Sequence, residues 1–62
     1  MMSELSEKEL SLMQDLLSEE ELLVKKFQML AGHAQDETIK QQMLDIAAKH
    51  QGHFNDIYSF LG

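Results

Sequence analysis

Between Ala31 and Glu37 lies the only turn signal in this chain, the run Ala-Gly-His-Ala-Gln-Asp, and almost everything else repeats with helical spacing. With no proline anywhere, nothing else obliges the backbone to stop. On the N-terminal side, Met13, Leu17, Glu20, Val24, Phe27, Ala31 and Ala34 form a stripe, flanked by Leu16, Leu23 and Leu30. On the C-terminal side the stripe is Ile39, Met43, Ile46, His50, His53, Ile57 and Phe60, flanked by Ala47, Phe54 and Leu61. Both step by three and four, the spacing of helices packed in bundles. The expectation is an all-α antiparallel helical hairpin with a turn at about 32–36.

The boundaries follow from local chemistry. Ser6 and Glu9 have the S-x-x-E spacing of a capping box, and Leu5 and Leu10 stand where a hydrophobic staple would close over it. That spacing recurs at Ser18 and Glu21, with Leu17 and Leu22 as the staple. The first helix therefore runs either unbroken from about 7 to 35, or as a short helix and a longer one divided near 17. Asp36 can cap a second helix beginning at Glu37. It runs to about 61, with Gly62 past its end.

A hairpin of this kind lacks a closed core. Each stripe is wider than one partner helix can cover, and 62 residues lie near the lower limit for folding on one core. With no cysteine, neither disulfides nor thiolate-held metal can help. A two-fold homodimer closing a four-helix bundle is the expected remedy. One domain spans residues 1–62.

Charge narrows the partners. The net charge is −6, there is no arginine, and seven of the eleven acids against one of the five lysines fall within residues 1–24. Such a chain suits neither nucleic acid nor an anionic membrane. No apolar run is long enough to span a bilayer, and the first residues are acidic where a secretory signal would be basic and apolar. The expected location is the cytoplasm. No nucleophile stands beside a base, so a hydrolase finds no support. The serines read as caps or exposed positions.

Three ionisable residues interrupt the stripes: Glu20, His50 and His53. If the turn centres near Gln35, Glu20 falls level with His50, and His53 is one turn away on the same face. Three readings fit. Imidazole and carboxylate together are ligands for a transition metal, with Fe, Zn and Mn as the candidates. They can also satisfy one another as a buried polar cluster, or one histidine can turn outward. Elsewhere the simpler expectations are Glu21 in a cap at Ser18, His33 on the surface, Tyr58 packed or at a rim, and Met13, Met29 and Met43 in the core. Gly52, mid-helix, marks a close approach of a helix, an opening to the site, or an unremarkable surface position.

The stretches Leu-Ser-Glu-Lys-Glu-Leu and Asp-Leu-Leu-Ser-Glu-Glu-Glu-Leu-Leu-Val-Lys-Lys-Phe resemble the start of the bacterial spore coat protein F (CotF) family. Asp-Glu-Thr-Ile-Lys and Ile-Ala-Ala-Lys-His-Gln-Gly-His-Phe resemble its second helix. The resemblance covers nearly the whole chain through loose helical patterns. It implies half of a ferritin-like four-helix bundle completed by a second protomer, and a short first helix ending near Ser18. It also implies a structural or assembly role, with other coat proteins as partners and the spore coat as a location. In ferritin-like metal proteins one helix supplies a Glu and the next a Glu-x-x-His. Glu20 matches the first Glu and His53 the motif histidine, while His50 stands where the motif's Glu would be. That departure speaks against a di-iron oxidase and suits a softer single ion.

Overall fold

The computed structural model describes residues 5–61. It contains two helices, α1 (Glu7–His33) and α2 (Glu37–Ser59), packed antiparallel. Both start where the sequence places a cap. Ser6 Oγ accepts from the Glu9 amide at 3.1 Å, and the Glu9 carboxylate accepts from the Ser6 amide at 3.0 Å. Hydrogen bonding to the Ser6 backbone amide first, and to the Ser6 side chain second, holds the Glu9 carboxyl below its usual range. At α2, Asp36 Oδ1 accepts from the amides of Thr38 and Ile39 at 2.8 and 3.1 Å.

α1 is continuous through Ser18, so the division near 17 that the resemblance implies is not there. The physical reason is that amides inside a helix already donate to carbonyls one turn back. A second capping box has no free donors to satisfy. The Glu21 carboxylate lies instead 3.7 Å from Lys25 Nζ, an exposed pair one turn apart.

α1 ends at His33, slightly earlier than its periodicity suggests, because Ala34 turns to an extended conformation. Ala34, Gln35 and Asp36 make the link with no residue at positive φ. α2 ends at Ser59, and Phe60 and Leu61 close a last tight turn by donating to the carbonyls of Ile57 and Tyr58. Gly62 lies outside the described residues.

The facing stripe of α1 is the one its spacing predicts. Met13, Leu17, Glu20, Val24, Phe27, Ala31 and Ala34 are all buried or half-buried. On α2 the stripe is rolled to one side of the expected one. Met43, Ile46, Ala47, His50, Phe54, Ile57 and Leu61 face α1, while Ile39, His53 and Phe60 are exposed. Met29 is exposed too, rather than a core filler.

The interior is small. Among the described residues only Val24, Ala31 and Ala47 are buried, and no large side chain is fully enclosed. The molecule measures 47 × 17 × 11 Å. Its thinnest dimension is that of one helix.

Gly52 has nothing within 4 Å of where a Cβ would stand, so a close approach of α1 does not explain it. Gly52→Ala is expected to stabilise the fold by about 1 kcal/mol through helix propensity. In a domain of this size that raises the melting temperature by about 4–8 °C, a shift that thermal circular dichroism resolves.

Candidate metal centre

Glu20 is the midpoint of α1, and His50 stands close to the midpoint of α2. The linker sets the two helices so that these residues meet. Glu20 Oε1 and His50 Nδ1 are 2.6 Å apart, and both side chains are about four-fifths buried, at 17% and 21% exposure. An ionised carboxylate only accepts, so His50 Nδ1–H is the donor. The separation is that of a charge-assisted hydrogen bond.

His53, one turn on, places its Nδ1 3.5 Å from Glu20 Oε2 while its side chain stays 57% exposed. It leans into the cluster from the surface instead of filling the seam. Each carboxylate oxygen of Glu20 thus faces one imidazole.

The rings are fixed by their neighbours. His50 stacks on Phe27, with centroids 5.8 Å apart and planes 16° from parallel. His53 meets His50 edge-on at 5.5 Å and 85°. Phe27 is one of the stripe residues of α1, but its role as the platform under His50 was not evident in the sequence. The signal was available: Phe27 lies two turns beyond Glu20 on the same face.

The donor set fits a metal ion. One ligand atom from each of Glu20, His50 and His53 lies within 4.8 Å of the others. Donors about 2.1 Å from a tetrahedral ion stand about 3.4 Å apart. The Glu20–His53 spacing already matches this, and the Glu20–His50 contact would open by less than about 1 Å as the ion replaced the proton between them. Without an ion, the same contacts form a satisfied polar cluster.

The other candidate residues lie elsewhere. His33 is exposed in the last turn of α1. Tyr58 is exposed and stacks on Phe54, at 6.1 Å and 16°. Glu21 lines a polar groove with Val24, Lys25 and Gln28 of α1 and Gln51 and Phe54 of α2. That groove was not anticipated, although Glu21, Lys25 and Gln28 form a polar ladder at helical spacing.

The groove also orients the molecule. It occupies one side of the hairpin, so the opposite flank of each helix faces the other side. Counting round the helices, that side carries Leu12, Leu16, Leu23 and Leu30 from α1. From α2 it carries Ile39, Ile46, His53 and Phe60. Leu12, Leu16, Leu30, Ile39 and Phe60 are each 45–55% exposed.

Comparison with family models, curated proteins and solved structures finds no match to this chain. No helix among the described residues is long and apolar enough to cross a membrane.

Proposed function

We propose that this chain is a small assembly protein, two copies of which pair through their apolar sides to close a ferritin-like four-helix bundle. The observation that carries the reading is that apolar side, left open on a molecule one helix thick. Stable domains bury such a face between two packed layers, and a second hairpin supplies the missing layer with the same kind of surface. The resemblance to coat proteins adds a structural role in the spore coat, built with other coat proteins.

Sedimentation equilibrium tests this. The wild-type chain is expected to be a dimer whose melting temperature rises with concentration. Leu16→Glu, on the apolar side, is expected to give monomers of reduced helicity. Leu22→Glu, on the back of α1 and 61% exposed, is expected to keep the dimer. A wild-type chain that sediments as a stably folded monomer at every concentration sinks the reading.

A second reading is favoured by the meeting of Glu20, His50 and His53: the protein binds Fe, Zn or Mn there, for storage or redox use. Metal analysis of untagged protein decides it. Less than about 0.1 ion per chain, together with no thermal stabilisation by added ion, refutes it.

A further inference from the structure

We infer that the Glu20–His50–His53 cluster is an incomplete site, finished by the second copy: Glu19 of the partner copy supplies a ligand to the ion, so that metal binding and pairing reinforce each other. This rests on the pairing proposed above.

The cluster opens toward the apolar side. His53 interrupts the ladder Ile39, Ile46, His53, Phe60 on that side, and it is more than half exposed while its Nδ1 still faces Glu20. A bound ion would therefore sit at the edge of the surface that a second hairpin covers. Three protein ligands leave a coordination position free, and the free position faces outward with His53.

The second copy has a carboxylate within one turn of that height. On α1 the corresponding ladder is Leu12, Leu16, Glu19, Leu23, Lys26 and Leu30, and Glu19 is its one acid. A two-fold axis parallel to the hairpin lays α1 of one copy along α2 of the other. The two helices then run antiparallel at the heights they keep within each hairpin. At the heights kept within the hairpin, where Glu20 is level with His50, Leu12, Leu23 and Leu30 fall within about half a turn of the partner's Phe60, the partner's Ile46 and the partner's Ile39. Leu16 and Glu19 flank the level of the partner's His53, and Lys26 lies beside the level of the partner's Ile46. The facing ladders are mostly apolar, and the one carboxylate stands within a turn of the imidazole. Because a two-fold axis parallel to the hairpin leaves every height unchanged, the two clusters of a dimer lie at one height in this arrangement.

The experiment is sedimentation equilibrium of the untagged full chain in chelator and in excess zinc, with bound zinc measured in parallel. The expected result is uptake of one zinc per chain and a rise of about tenfold or more in the dimer association constant. Glu19→Gln, an exposed change on α1, is expected to remove that rise while its zinc-free dimer stays at least as tight. Equal zinc-dependence in wild type and Glu19→Gln overturns the inference. So does zinc uptake with no effect on association, or a tight dimer that takes up no zinc; both leave the pairing intact. A chain that is monomeric with and without zinc overturns the inference and the pairing together.

Discussion

Val24→Asp is expected to abolish the hairpin. Val24 is one of three buried residues among those described and is 8% exposed. A carboxylate there has no cation beside it on the facing stripe of α2, and Glu20 lies one turn away on the same face of α1. Burying a charge unpaired is among the few single changes that cost more than about 4 kcal/mol. A chain of this length has on the order of 3–9 kcal/mol in total. Loss of far-UV helicity and of a cooperative melt should follow. Leu22→Asp, two residues away on the exposed back of the helix, should change stability by no more than about 0.5 kcal/mol. Equal effects at both positions would show that the facing stripe does not hold the fold.

The second large effect concerns the two sides of the Glu20–His50 pair, which are expected to respond unequally. His50→Leu leaves a carboxylate that is 17% exposed with only a 3.5 Å contact to His53. It is expected to destabilise the protein by about 2 kcal/mol, the scale for stranding a mostly buried charged group that retains some water. Glu20→Leu strands no carboxylate and leaves two imidazoles, one of them more than half exposed, and is expected to cost less than about 1 kcal/mol. Replacing both with Leu is expected to be neutral or stabilising, since apolar packing substitutes for a partly desolvated pair. Urea melts of the four chains give the coupling energy directly. Single variants that cost the same, with a double variant that costs their sum, would show the two residues to be independent.

Much of this structure was legible in the sequence, and the gaps have identifiable causes. The caps at Ser6 and Asp36 are local: their hydrogen bonds span three residues or fewer, so spacing alone predicts them. The stripe of α1 was read residue for residue because only one of its faces is both continuous and interrupted by few charges. α2 was harder because two apolar ladders overlap there, one through Ile39, His53 and Phe60 and one through Ala47, Phe54 and Leu61. They share Met43, His50 and Ile57, and the choice between them depends on fit to α1, which spacing does not encode. The apparent cap at Ser18 failed for a different reason. A capping box is a signal only where a helix must start, and the flanking residues here favour continuing. The meeting of Glu20, His50 and His53 was read from the height of the turn. What was not legible is that His53 reaches Glu20 from the outside.

The Glu20–His50 contact also settles which of several similar packings the chain adopts. Apolar surface is forgiving: a slip of α2 by one turn away from the linker sets Glu20 against Ile46 and Ala47, and the ladders still meet ladders. Such a slip removes the imidazole from the carboxylate and leaves a desolvated acid against hydrocarbon. The central carboxylate–imidazole contact therefore acts as a register pin, and its contribution is to uniqueness more than to stability. The chain with both residues changed to Leu should melt no lower than wild type, yet show broadened or doubled amide resonances by NMR.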